Sequence, residues 1–182
     1  MRANNYTPAL IKIYTKEGWI ATEQSLVAVE KDKQKVIAWG NEAEKYMDDK
    51  EILVINPFKQ GVIEDFILAR VFMTNFIRKY GKKQMFKRQK IVFSLLTEYS
   101  EIQKKALTET VYMTGGVGEV KISDDRSVFD ESDMLKQFFE KNDCDLLIDI
   151  TQENPCRYVR ERAEELIAYA AKYGVEMDIT IK

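Results

Sequence analysis

The residue types that most often carry out catalysis or hold transition metals are scarce in this sequence. Its 182 residues include no histidine, which excludes Ser-His-Asp and Cys-His nucleophilic centres and removes the commonest transition-metal ligand. Any bound metal would be a hard cation held by oxygen atoms. The two cysteines, Cys144 and Cys156, are too few for a disulfide framework, so we expect reduced thiols in a cytosolic protein. Enzymatic functions are therefore disfavoured at the outset.

Two charged stretches and one glycine cluster could form sites. No acidic residue occurs between Phe66 and Thr97, where basic residues cluster. This cluster is either a docking patch for an anionic membrane, nucleic acid or acidic protein, or a solvated helix end and loop. The acidic residues from Asp124 to Asp133 lack EF-hand spacing, which favours a solvated loop. Gly115–Gly118 follows a predicted helix and precedes a strand, the reverse of a phosphate loop. The predicted interaction patch consists of Arg78, Lys79, Lys82, Lys83, Lys87 and Arg88.

The overall composition is that of a globular chain with one domain, or two small lobes that share a core. The formal net charge of −2 does not indicate a general nucleic-acid binder. No apolar run approaches the about 18 residues of a membrane span, and the first residues do not resemble a signal peptide. We therefore expect a cytoplasmic protein. The acidic and basic stretches could also pair head to tail between copies.

The hydrophobic pattern predicts an antiparallel meander over residues 9–39, followed by alternating helices and strands. Apolar residues at three- and four-residue steps predict a helix over residues 64–80. Ser100 and Gln103 form a capping box that starts another helix. The apolar run over residues 91–96 predicts a strand covered on both faces, and residues 145–150 (DLLIDI) predict another buried strand. The expected fold class is α/β, with a mixed sheet and helices on its faces. Further predicted elements are strands at 119–123 and 175–181 and helices at 131–142 and after Pro155.

Several segments, in the same order along the chain, resemble MreB-type bacterial actins. Residues 56–66 read NPFKQGVIEDF, which is similar to the family segment R-P-[LM]-K-D-G-V-I-A-D-[YF]. Residues 25–29 resemble the P-S-V-V-A-I strand, and residues 36–44 resemble V-L-A-V-G-E-E-A. Residues 91–103 are similar to V-V-I-x-V-P-x-G-x-T-x-x-E, and residues 117–122 to A-G-A-x-x-V-x-L-I.

This resemblance implies an actin-like, ribonuclease H-like ATPase lobe, and full-length relatives that form filaments organising cell-wall synthesis. The chain would correspond to little more than the first of two large domains. We interpret residues 1–182 as a single actin-like domain with a divergent C-terminal βαβ unit over about residues 145–182.

The segments that would bind ATP depart from the family pattern. The first hairpin, D-x-G-T-x-N-T, should precede the strand at residues 10–14. Thr7 is retained there, but Asn4 replaces the aspartate and Tyr6 replaces a glycine. A tyrosine side chain would crowd a phosphate, and Pro8 removes a backbone donor. The resemblance therefore implies a degraded first half of the site.

The second hairpin, V-D-I-G-G-G-T, is matched only by residues 147–153. Asp149 is present there, but the glycines are missing and Glu153 adds negative charge. In the V-P-x-G turn, Leu96 replaces proline and Glu98 replaces glycine. The remnants of a nucleotide site that the resemblance implies are Thr7, Asp65, Thr97, Asp124 and Asp149.

The sequence thus predicts a non-enzymatic actin-like scaffold in cell-shape or cytoskeletal organisation, with no catalytic residues, no metal and no cofactor. It would bind a protein partner or itself, with a membrane surface as the alternative for the basic patch and nucleic acid disfavoured. A second hypothesis is a nucleotide-dependent ATPase whose site is completed by a partner chain, with Asp149 and Asp65 contacting Mg²⁺ through water. A third is a regulatory signalling module that retains only the fold.

Overall fold

A computed structural model describes residues 8–59, 61–81, 88–95, 99–123 and 132–152. The elements in chain order are β1 (Ala9–Thr15), β2 (Gly18–Gln24), β3 (Val27–Glu30), β4 (Lys35–Trp39), a 3-10 helix (Gly40–Tyr46), β5 (Ile52–Ile55), β6 (Phe58–Lys59), β7 (Val62–Ile63), α1 (Phe66–Tyr80), β8 (Gln89–Leu95), α2 (Glu101–Tyr112), β9 (Val117–Ser123), α3 (Ser132–Asn142) and β10 (Leu146–Gln152). Thr7, Lys82, Lys83, Lys87, Thr97, Asp124 and the predicted helix and strand after β10 lie outside the described residues.

The strands form a five-stranded sheet with the order β2-β1-β10-β8-β9, a three-stranded sheet β4-β3-β5 and the small pair β6-β7. In the large sheet, β1 is antiparallel to β2 and β10, whereas β10 and β9 are parallel to β8. The prediction of an α/β fold with a mixed sheet is confirmed.

The predicted meander over residues 9–39 is divided between two sheets. Between β2 and β3, the Leu26 amide donates to the Gln24 carbonyl at 2.8 Å, and the Ser25 amide donates to the Ala9 carbonyl at 2.8 Å. Since this tight turn redirects the chain, β3 pairs with β4 and β5 instead of continuing the large sheet.

The helices begin where their capping residues stand. The Asp65 side chain accepts a hydrogen bond from the Leu68 amide and caps α1, and Ser100 with Gln103 forms the capping box of α2. Each cap satisfies amide groups that the first helical turn leaves without partners.

The main core lies between one face of the large sheet and the buried faces of α1 and α2. It includes the fully buried aromatic residues Phe58, Phe72, Phe76 and Phe93. A second cluster lies on the opposite face, where Leu135, Phe138 and Phe139 of α3 cover Tyr14, Val92 and Leu147 of the sheet. β10 contributes to both clusters because successive strand residues point to opposite faces. In the described part of the chain, no helix is long and apolar enough to cross a membrane.

Candidate functional site

A row of polar residues crosses all five strands of the large sheet. Thr22 lies opposite Lys12, Lys12 opposite Asp149, Asp149 opposite Ser94, and Ser94 opposite Ser123. Residues that are directly opposed on neighbouring strands share one face, with their Cβ atoms about 5 Å apart. We call these five residues the polar row.

The two central members of the polar row are buried. Asp149 is 4% exposed and Ser94 is 1% exposed. The Ser94 hydroxyl has no hydrogen-bond partner among the residues that the structure describes. Buried hydroxyl groups are nearly always hydrogen-bonded, so such an exception needs a physical reason. A ligand atom reaching this face would give that hydroxyl a partner.

The neighbouring rows on this face explain how the polar row is held in place. One step towards the amino end of β10, Leu147 lies between Tyr14 and Val92 beneath α3. On the other face, Ile148 and Ile150 are buried in the main core. The strand residues next to Asp149 are therefore held by apolar contacts on both faces of the sheet, and these contacts fix the position of Asp149.

The polar row lies near the carboxyl ends of the three parallel strands. β8 ends at Leu95, β9 at Ser123 and β10 at Gln152, and Ala9 at the start of β1 lies opposite Gln152. Ligands of open α/β sheets bind at this edge. Three of the predicted site residues, Thr7, Thr97 and Asp124, lie outside the described residues but are one or two positions from these strand ends in the sequence. Asp149 is the predicted site residue that the structure places on the row.

Asp65 has a different place in the structure. Its Oδ1 atom accepts from the Leu68 amide at 2.9 Å, and its carbonyl oxygen accepts from the Ala69 amide at 2.9 Å. The residue is thus the N-cap of α1, and this role alone accounts for an aspartate at this position.

The turn between β6 and β7 approaches the same edge from the main-core side. Gly61 has a φ of +81°, and a Cβ atom there would lie 3.2 Å from the Tyr99 hydroxyl and 3.7 Å from Ile150 Cγ2. The Tyr99 hydroxyl donates to the Gly61 carbonyl, and burial raises the pKa of Tyr99 well above its usual range. The motif at residues 56–66 contained this glycine, but the contact with Tyr99 was not predicted.

The described members of the basic patch are Arg78, Lys79 and Arg88. The Lys79 ammonium lies 3.0 Å from Glu23 Oε1 and 5.1 Å from the centre of the Trp39 ring. Hydrogen bonding to Tyr80 and Glu23 raises the pKa of Lys79. Its charge is therefore used within the molecule, and a docking role for the patch stays a prediction.

Glu23 is a buried carboxylate that the sequence did not identify. Its side chain is 5% exposed, and it accepts from the Asn41 amide at 2.7 Å, from Lys79 and from the Tyr80 hydroxyl. These donors belong to the 3-10 helix and to the end of α1, whereas Glu23 belongs to β2. Glu23 therefore links β2 of the large sheet to the 3-10 helix and to the end of α1.

The donor set of the polar row is compatible with a magnesium–phosphate group. A carboxylate can hold a hydrated Mg²⁺ ion, while a lysine ammonium and a serine hydroxyl can donate to phosphate oxygens. The orphaned Ser94 hydroxyl is the feature of this structure that fits such a ligand. Among the described residues there is no group of three or more Asp, Glu or Cys side chains that could hold a metal ion by itself. The row could therefore form part of a nucleotide site, with further groups from elsewhere.

Comparisons with known proteins relate this chain to a family of bacterial cell-shape proteins. The family model "MreB/Mbl protein" matches residues 7–129. The cell shape-determining protein Mbl of Bacillus subtilis is 32% identical over 111 residues, which cover 59% of this chain and 33% of Mbl. Mbl of Bacillus cereus gives the same identity and coverage. The chain thus spans about a third of the length of these relatives.

Solved structures with the same fold include those of MreB5 from Spiroplasma citri. The form bound to AMPPNP superposes with a TM-score of 0.54 at 20% identity, covering 65% of this chain and 36% of that one. The form bound to ADP also gives 0.54, at 23% identity, covering 65% and 35%. This similarity shows the fold.

These findings correct one expectation. The sequence-based prediction that the chain is not an enzyme is wrong, because the comparisons point to an actin-like ATPase family. That prediction rested on the glycines missing near residues 6 and 150, and the loss of individual residues does not decide which family a chain belongs to. The match over residues 7–129 also confirms the resemblance on which the fold prediction rested. The chain belongs to the MreB/Mbl family of actin-like cell-shape proteins.

Proposed function

We propose that this chain is a nucleotide-dependent module of an MreB/Mbl-type cytoskeleton whose ATP site is completed by another polypeptide. The observation that carries the proposal is Asp149, buried beside the orphaned hydroxyl of Ser94 at the carboxyl edge of the large sheet. A nucleotide bound with Mg²⁺ supplies the phosphoanhydride bond that an actin-like ATPase splits.

In this proposal three residues of the polar row, Asp149, Ser94 and Lys12, have different roles. Asp149 would hold water molecules of a hydrated cation, because a carboxylate accepts hydrogen bonds and donates none. The Ser94 hydroxyl would donate a hydrogen bond to a phosphate oxygen. Lys12, on the other side of Asp149, offsets the negative charge of the phosphates.

A second polypeptide is invoked because the sequence lacks the glycines that a phosphate cradle requires. Such cradles depend on glycine for close backbone approach, and Tyr6 and Thr151 stand where the family patterns have glycine. In this proposal a full-length relative such as Mbl supplies the missing groups. The sequence left two possibilities, no cofactor or bound ATP with magnesium, and we propose the second.

Co-sedimentation with Bacillus subtilis Mbl tests the proposal. The chain is mixed with Mbl and Mg²⁺, with and without ATP, and the pelleted fraction of each protein is measured. We expect the chain to pellet with Mbl and to do so more strongly with ATP. Absence of the chain from the pellet under every nucleotide condition, while Mbl itself pellets, would refute co-assembly with this relative.

A further inference from the structure

The large sheet combines strands from inside and outside the family match. The matched residues 7–129 contain β1, β2, β8 and β9, whereas β10 at Leu146–Gln152 lies beyond them. β10 nevertheless occupies the centre of the sheet, between β1 and β8. The core of a lobe that belongs to the family is thus completed by a segment that the family model does not match.

Without β10 the matched strands would leave a slot. Neighbouring strands lie about 4.8 Å apart, so β1 and β8 are about 10 Å apart and cannot bond to each other. Ile11 and Phe93 flank the slot and are each 0% exposed, since Ile148 and Ile150 lie between the two strands. The matched region therefore needs a strand at this place to bury its own core.

The geometry defines the strand that suits the slot. It must run parallel to β8 and antiparallel to β1, and its carboxyl end must lie beside the amino end of β1, as Gln152 lies opposite Ala9. Antiparallel neighbours with adjacent ends are those that a hairpin can join. A strand placed immediately before β1 in the chain would meet all three conditions, whereas β10 follows β1 by more than a hundred residues.

We infer that α3 and β10 form a permuted element that fills, from the carboxyl side of the chain, a slot suited to a strand preceding β1. β10 carries Asp149 at the centre of the polar row. It thereby provides a carboxylate, which Asn4, at the family's aspartate position ahead of β1, lacks. The assignment of the slot stands on topology alone. The binding role of Asp149 rests on the proposed function.

The packing of α3 supports the view that residues 132–152 act as one unit. Leu135, Phe138 and Phe139 of α3 cluster with Leu147 of β10 and with Val92. The Asp145 amide donates to the Lys90 carbonyl at 2.8 Å, which fixes the entry of the chain into β10 beside the start of β8. α3 therefore packs over β10, the strand that directly follows it in the chain.

A circular permutant tests the slot directly and retains every residue. It runs from Ser132 to Lys182, through a flexible linker of about ten residues, and then from Met1 to Glu131. Here β10 precedes β1, as the geometry allows. We expect the same far-UV circular dichroism, cooperative unfolding within about 4 °C of the natural order, and slow amide exchange at Ile148 and Ile150. A permutant that fails to unfold cooperatively, while the natural chain does so, would overturn the inference.

The role of Asp149 is tested in the natural chain order. Magnesium-dependent binding of a fluorescent ATP analogue is measured with Mbl present, for wild type, Asp149→Asn and Asp143→Asn. Asp143 is a matched control, because its side chain is 85% exposed and pairs with Lys90 at the other end of β10. We expect binding to weaken about tenfold to a hundredfold in Asp149→Asn and less than about twofold in Asp143→Asn.

The outcomes separate this inference from the proposed function. A folded permutant with no nucleotide binding by the wild-type chain would refute the proposed function and leave the slot assignment in place. Equal binding by wild type and Asp149→Asn would overturn the role of Asp149 while the nucleotide proposal stands. A folded permutant together with selective loss in Asp149→Asn would support both parts.

Discussion

Removal of the Glu23 carboxylate should destabilise the protein more than its place on an outer strand indicates. In Glu23→Ala the Asn41 amide, the Tyr80 hydroxyl and the Lys79 ammonium lose their acceptor. A hydrogen bond to a charged group contributes about 1.5–3 kcal/mol, and unpaired buried donors incur a desolvation penalty. The Lys79 side chain is 50% exposed, so water replaces much of its loss. We therefore expect Glu23→Ala to lower the free energy of unfolding by about 3 kcal/mol.

Urea unfolding followed by circular dichroism measures this change. Glu23→Gln retains one acceptor oxygen and should cost about 1–2 kcal/mol. Glu64→Gln serves as a control, because the Glu64 side chain is 58% exposed beside Lys59; it should change stability by less than about 0.5 kcal/mol. Amide exchange in the 3-10 helix should also accelerate in Glu23→Ala, since Asn41 loses its tie to β2. A Glu23→Ala variant as stable as Glu64→Gln would refute this reading of the network.

Three further predictions concern the caps, the α3 cluster and the described thiol. Asp65→Ala should cost about 1 kcal/mol and Asp65→Asn only a few tenths, because asparagine is an equally good N-cap; equal losses in thermal unfolding would argue against the capping role. Leu147→Ala should cost about 3 kcal/mol in urea unfolding, because Leu147 is 0% exposed; a loss below about 1 kcal/mol would contradict this packing. Burial raises the pKa of Cys144 to about 12, so in a Cys156→Ser background iodoacetamide should react slowly near pH 8 and faster as the pH rises towards 12. Rapid alkylation near pH 8 would show that the thiol is not held in this environment.

The elements with a strong local signal were predictable from the sequence. The capping box at Ser100 and the apolar face of α1 depend on residues a few positions apart, and both appear in the structure. The buried run at residues 145–150 was recognised as a strand. Its neighbours could not be predicted, because pairing with β1 and β8 depends on contacts distant in sequence. The resemblance relates Asp149 to a second phosphate hairpin, and that assignment stays a prediction; its position opposite Lys12 of β1 was not predictable from the sequence.

Glu23 and Ser94 show why parts of the site escaped sequence reasoning. Glu23 is an ordinary polar residue in β2, and nothing local distinguishes it from a solvent-facing position; its burial follows from what packs over it in three dimensions. Ser94 lies in the apolar run of β8, whose burial was predicted, but its position opposite Asp149 depends on strand pairing that the sequence does not show. The register of the large sheet was the signal needed to find the polar row, and register is set by long-range pairing and the burial of the whole face.

The most direct test of the account is photolabelling of this chain by 8-azido-ATP with Mg²⁺, alone and with Bacillus subtilis Mbl. The chain has a mass of 21.2 kDa, so its label can be resolved by electrophoresis from that of its much longer relative. We expect strong labelling of this chain when Mbl is present, weak labelling when it is alone, and loss of both with excess ATP. No label above background on this chain in either condition, while Mbl is labelled, would contradict the proposal that it contributes to a nucleotide site.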